Sequence, residues 1–385
     1  MTMTNNRYVI KTVVALVVTV LTPLFVACCN DDESTERDNN FITFASPVTT
    51  GITRAVAGEI VNPYPKKESF KVYGRIYKDN YKGWNVTSIT DDNFKAEGEV
   101  ATYQEIYNGW VTSTKHRWQK DCNYAFAAFS PSDVPAKTVT YNDEGLTVEN
   151  FVPEALGSQY DLLYSKRIYD INSSSMTSDA HYNGVPITFY HALSSIVIKI
   201  GVHPAYLQDK ANEGTLVTEG QKFKLKHITL KNVQNKATFK QNIVENTAVK
   251  PVTYTENPTW TLPNTAQQKK NYAMISEFNA PYINIPVIAD QTEVFKAVKP
   301  LTDIGGYSAI LIPQSLEDVQ LVIEWTATAD DANPEWITTT IDLAKYGEWQ
   351  MGYRYIYTIA FQEDRIYFAP NADQMNDNNG GVEIN

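Results

Sequence analysis

The stretch KFKLKHITL, residues 222–230, decides the fold class. It alternates over its whole length, with one face basic and the other apolar. A period of two marks a half-buried strand, because successive side chains point to opposite faces of a sheet. The same period recurs on either side: residues 70–77 (FKVYGRIY), 186–191 (PITFYH) running into 196–200, 319–325 and 353–359. Pro, Asn, Asp and Gly cluster between these runs, as turns require. No helical stripe of four turns is present, and short helices are expected only near 155–164 and 205–213. Many strands separated by turns predict an all-β chain built of sandwiches.

Composition agrees. Tyr (24), Phe (15) and Trp (7) are plentiful, and such residues suit pleated, half-buried surfaces. A formal net charge of −11 argues against nucleic acid as a partner. The polar run INSSSMTSDAHYNGV at 171–185 reads as a loop or linker. It divides the chain into an N-terminal part, 41–180, and a C-terminal part, 181–385, whose end, 371–385, is polar.

The first forty residues are different. Residues 1–11 carry Arg7 and Lys11 and no acid, and residues 12–27 carry no charge. A basic start, a short apolar core and a small residue before the break describe a secretory signal. The core is shorter than the roughly 20 apolar residues of a spanning helix, and it contains Pro23. It ends in Phe25-Val26-Ala27-Cys28, which resembles the lipobox of bacterial lipoproteins, although Phe25 departs from the usual Leu. That resemblance implies a signal peptide at 1–27 and a lipid on Cys28. Cys29 has no assigned role, and Cys122 alone cannot staple the globular part. Residues 28–40 then carry Asp31, Asp32, Glu33, Glu36 and Asp38 against one base, Arg37. A segment of this kind buries no core and reads as a solvated tether.

No catalytic or metal site stands out. His116, His181, His191, His203 and His227 are scattered, none at metal-ligand spacing from another His or a Cys. No GxSxG, Walker A or GxGxxG is present, and no carboxylate pair is singled out. No cofactor is expected. The seven tryptophans, Trp84, Trp110, Trp118, Trp260, Trp325, Trp336 and Trp349, have the faces to stack on sugar rings, but core packing is the default for most of them.

Five phrases occur in order: YAFAAFSP (124–131), DLLYS (161–165), VPITFYHALSSIVIKI (185–200), ILIPQSLEDVQLVIEW (310–325) and GYRYIYTIAF (352–361). Together they resemble the fimbrillin family of Bacteroidetes, the Mfa-like and FimA-like subunits of type V pili. The resemblance implies two tandem transthyretin-like β-sandwiches. It also implies export as a lipoprotein precursor to the outer membrane surface and a role in adhesion. The implied partners are other pilin subunits, a trypsin-like maturation protease, the outer membrane through the lipid, and an unidentified host ligand. In the family, the protease cuts after an early Arg and releases the first strand, and a neighbouring subunit fills the groove. Here residues 41–54 (FITFASPVTTGITR) begin as an alternating strand and end at Arg54, so cleavage would fall between Arg54 and Ala55. The donor strand would come from 365–369 (RIYFA) or 381–385 (GVEIN). Two other readings share most of these features: a surface glycan-binding lipoprotein, and an anchor or tip subunit of the same pilus.

Overall fold

A computed structural model describes residues 41–45, 47–49, 64–84, 94–134, 136, 138–172, 184–203, 223–263, 268–275, 283–285, 298–327, 333–362, 365–374 and 382–383. Among them the chain is all-β. The helical residues described there belong to 3-10 turns, among them Glu105–Tyr107, Leu301–Ile304 and Ala344–Tyr346.

The decisive stretch is a strand, Lys224–Gln234, but its alternation is not continuous. The ladder to Gln320–Thr326 shifts register between Leu225 and His227. This bulge absorbs one residue, as bulges do. Leu225 before it and Ile228 and Leu230 after it therefore all reach the same core. The basic face is not bare either. Lys224 is buried, and Lys226 is held by Glu324 at 2.9 Å and lies over the Trp336 ring.

Lys224–Gln234 is central in a five-stranded sheet with Lys269–Ile275, Gln320–Thr326, Ile337–Asp342 and Ile283–Asn284. A six-stranded sheet faces it. There Ser194–Val202 runs parallel to Tyr353–Phe361, from Ser195 opposite Arg354 to Val202 opposite Phe361. Ile196, Ile198 and Ile200 of one strand and Tyr357, Ile359 and Phe361 of the other meet Leu230, Leu321, Ile323 and Trp325 in one core. The chain then turns back as Ile366–Gln374, which pairs with the whole of Tyr353–Phe361.

The other large sheet has eight strands, centred on Asn123–Ser130 and Phe70–Tyr77. Both faces are covered, and period two sorts the side chains. Phe70, Val72, Tyr124, Phe126 and Ala128 fill one core. Tyr73, Ala127 and Phe129 point into another, beneath a four-stranded sheet of Thr138–Asn142, Gly145–Phe151, Ala237–Lys240 and Thr259–Thr261. The short helix expected near 155–164 is absent. Gly157 takes φ +86 in a turn, and Leu163–Ser165 is a strand between Thr188–His191 and Asn123–Ser130. Two neighbours offering ladder bonds outweigh a weak local helical preference. The helix expected near 205–213 falls outside the described residues.

Candidate functional site

The first described residues, 41–49, join the two outer edges of the eight-stranded sheet. Val48–Thr49 runs parallel to Thr188–Phe189. Phe44 bridges Val185 on one side and Trp110, in the strand Gly109–Thr112, on the other. Five backbone hydrogen bonds hold the segment from both sides. The N–H groups of Ile42, Phe44 and Ala45 donate to the carbonyls of His116, Trp110 and Val185, and the N–H groups of Trp110 and Val185 donate to Phe44 and Thr43. All five lie between 2.7 and 3.0 Å.

The seat is apolar and aromatic. Ile42 and Phe44 are 1% and 0% exposed. The Phe44 ring meets Phe126 edge-on at 5.4 Å and Phe70 at 6.2 Å. Tyr64 closes the far end. Its N–H donates to Pro47, its ring packs on Phe70, Trp110 and Phe189, and its hydroxyl bonds to Ser69 and Ser130. At the near end Phe41 lies under the Arg117 guanidinium at 4.3 Å and beside Lys115 at 5.5 Å. Below it, His116 is bonded to Glu99 at 2.9 Å, both buried, and stacks on Phe94.

Two glycines allow this close fit. A Cβ on Gly184, at φ +86, would stand 2.6 Å from the Ala45 nitrogen, and one on Gly109 would stand 2.9 Å from the Phe44 oxygen. Neither glycine was legible as part of a site from sequence. Each depends on which strand passes beside it, and that is a tertiary fact.

Cys28, Arg54 and Ala55 lie outside the described residues, as does His181. The remaining histidines have structural surroundings. His191 Nδ1 bonds to Asp161, and both are buried. His203 stacks on Tyr367, and His227 lies 3.9 Å from Glu324. Among the described residues no cluster of three or more His, Cys, Asp or Glu is placed to hold a metal. Cys122 is free and buried. All seven tryptophans are buried or half-buried, so none is exposed as a sugar platform.

The phrases that resemble the fimbrillins have definite structural roles. His191 of the HAL phrase and Asp161 of DLLYS are the buried pair, on adjoining segments. The amide of Gln314, after Ile-Pro, donates to the carbonyls of Gln234 and Ile312 and accepts the Gln234 N–H, taking the place of a strand neighbour. Of the late tyrosines, the Tyr357 hydroxyl accepts from Trp349 Nε1 and the Tyr355 hydroxyl from the Gln350 N–H. At the other end of the chain the two donor candidates differ. Ile366–Gln374 makes a full ladder on one side, whereas Val382–Glu383 pairs only with Asn371 and Ala372.

Comparison with solved structures finds several that align with this chain at low similarity. A fimbrial protein from Bacteroides vulgatus is 17% identical, with a TM-score of 0.44 over 86% of this chain and 99% of that one. A fimbrial assembly protein from Parabacteroides distasonis is 8% identical, with a TM-score of 0.38 over 89% and 99%. No curated protein matches the sequence. The sequence itself matches the family described as fimbrillin-like over residues 79–384, a span that holds all five phrases and most of the described strands, and the chain therefore belongs to the fimbrillin-like family.

Proposed function

We propose that this fimbrial subunit is made as a lipoprotein precursor, held on the outer membrane surface through Cys28, and matured by cleavage between Arg54 and Ala55. The chain is a structural protein, not an enzyme, as its family is. Cleavage frees 41–54 together with the lipid. The vacated seat accepts a strand from a second copy, and repetition builds a head-to-tail filament that supports adhesion at the cell surface. Within the compact unit Asp38–Asn385, we assign two tandem transthyretin-like sandwiches, 41–180 and 181–385. Thr188–His191 and the segment holding Ala237–Lys240 and Thr259–Thr261 reach from the second onto the first.

One observation carries this reading: residues 41–45 are bonded along both edges, and Val48–Thr49 is paired along one. Losing them leaves two rows of unpaired backbone groups and an uncovered aromatic row. Each unmet buried polar group costs about 1–3 kcal/mol, so the open subunit is driven to take another strand. Arg54 lies five residues beyond Thr49, close enough for one cut to release the segment.

Limited trypsin treatment of the folded precursor is expected to give a new N-terminus at Ala55 and ladders on gels. Arg54→Ala should block both. A trimmed protein that stays monomeric at high concentration would end the strand-exchange reading and favour a glycan-binding lipoprotein. Lipidation has its own check: Cys28→Ser should abolish fatty-acid labelling in cells. Labelling lost only with Cys29→Ser would move the site by one residue.

A further inference from the structure

We infer that the segment of a second copy which fills the vacated seat is Ile366-Tyr367-Phe368-Ala369, and not the last residues of the chain. This inference rests on the strand-exchange reading above and goes further by naming the occupant.

The first strand and this segment share a pattern. Ile42-Thr43-Phe44-Ala45 and Ile366-Tyr367-Phe368-Ala369 differ at one position of the four, and a proline follows closely in both, at Pro47 and Pro370. The seat is shaped for that pattern. It buries an Ile and a Phe on one face, at positions 42 and 44, with Phe70 and Phe126 around the phenyl ring.

The segment is poorly satisfied where it stands. Ile366 and Phe368 are only half-buried, and Tyr367 is 40% exposed. Both apolar side chains line an open cleft of about 330 Å³, shared with Thr339, Ile341 and Tyr346. Their strand pairs on one side with Tyr353–Phe361. On the other side Val382–Glu383 covers only Asn371 and Ala372. In the seat the same four residues would be bonded along both edges and would bury their Ile and Phe fully. Added apolar burial and a second ladder both favour transfer. They oppose the contacts left behind, which include the first ladder, the packing of Ile366 and Phe368 against the core between the five- and six-stranded sheets, the Phe368 ring's neighbours Tyr346 and Tyr357, and the stacking of Tyr367 on His203.

The rival segment fits less well. Aligning Val382 and Ile384 with Ile42 and Phe44 puts Glu383 at the place of Thr43. Thr43 is buried, with its hydroxyl beside Gly184. A carboxylate there is costly without a partner. Tyr367 at that place is larger than Thr43 and must find room beside Gly184, but it brings no charge and so avoids the cost that Glu383 meets. The one mismatch is Arg365, which takes the place of Phe41 next to Arg117 and Lys115. It predicts that Arg365→Phe strengthens assembly.

The test uses the full-length precursor, cut after Arg54, at one protein concentration. Phe368→Ala is expected to ladder at least tenfold less than wild type, while Val382→Asp ladders as wild type does. Because its own seat is intact, cut Phe368→Ala should still cap wild-type chains, which separates a lost donor from a misfolded subunit. A synthetic peptide of residues 366–374 should be retained by the cut protein and stop laddering. A peptide of 381–385 should do neither. Laddering that survives Phe368→Ala and fails with Val382→Asp overturns the assignment, and so does equal retention of the two peptides. If cut wild-type protein forms no ladders at all, the strand-exchange reading itself falls. Peptide retention then still decides which segment the seat prefers.

Discussion

Phe44→Ala is expected to destabilise the precursor by about 3–5 kcal/mol, the usual cost of truncating a fully buried Phe. The side chain is 0% exposed and touches rings from both central strands of the eight-stranded sheet. Little can collapse into the space, because Gly109 and Gly184 beside it already hold the backbones at closest approach. Set against a typical total of 5–15 kcal/mol, such a loss is felt at growth temperature. The effect should also be local. Residues 41–45 are held by a few backbone bonds and the buried side chains of Ile42, Thr43 and Phe44, so losing the largest of them loosens the segment before the rest unfolds. The variant precursor should therefore show faster hydrogen exchange at Ile42–Ala45 and at Trp110 and Val185. It should begin to associate without any proteolytic cut. Phe44→Leu, which keeps most of the volume, should lie between. Urea unfolding, hydrogen exchange and size-exclusion chromatography supply the measurements. A cost below about 1 kcal/mol, with unchanged exchange, would mean that the segment does not seal the sheet.

Arg167→Met is expected to cost a further class of stability, again about 3–5 kcal/mol, the range for breaking a buried pair by removing one partner. Arg167 is 1% exposed. Its Nη1 is paired with Glu245, Nε donates to the Tyr141 hydroxyl at 3.0 Å, and Nη2 and Nη1 donate to the carbonyls of Asn142 and Asp143. The rings of Trp84 and Tyr141 flank the guanidinium at 4.7 and 4.9 Å, a favourable cation–π setting. Burial pushes the Tyr141 phenol up to about 12, so it stays neutral and serves as an acceptor. Glu245 also takes the Tyr169 hydroxyl at 2.5 Å. One cation thus ties the Ile243–Asn246 strand to the turn after Thr138–Asn142. Removing it strands the Glu245 carboxylate. Arg167→Met combined with Glu245→Gln should recover a large part of the loss, because the stranded charge is gone. A double-mutant cycle in urea decides this: additive losses, or a single loss under about 1 kcal/mol, would show that the pair does not hold the hairpin.

The strands were legible for a simple reason. A sheet covered on one or both faces sorts residues with period two, and this sorting is local. Residues 70–77, 319–325 and 353–359 could be read as strands without knowing their neighbours. Where a neighbour decides, local reading failed. The bulge at Leu225–His227 is imposed by the ladder to Gln320–Thr326. The strand at Leu163–Ser165 exists because two others flank it, although the local sequence leads to an expected short helix near 155–164. The proposed lipid site at Cys28 and the proposed cut after Arg54 concern processing, and they rest on the order of residues along the chain alone.

By itself the sequence determined that this chain is all-β and that it belongs with the fimbrillin-like proteins. These are properties of composition, period and order, and they survive without coordinates. Only the tertiary structure decided that residues 41–45 are bonded on two edges, that Gly109 and Gly184 make room for them, and that Ile366 and Phe368 are left half-covered. Each of these depends on which distant segment lies alongside. Backbone hydrogen bonding is the same for every residue type, so pairing across a sheet leaves little trace in the sequence of either partner.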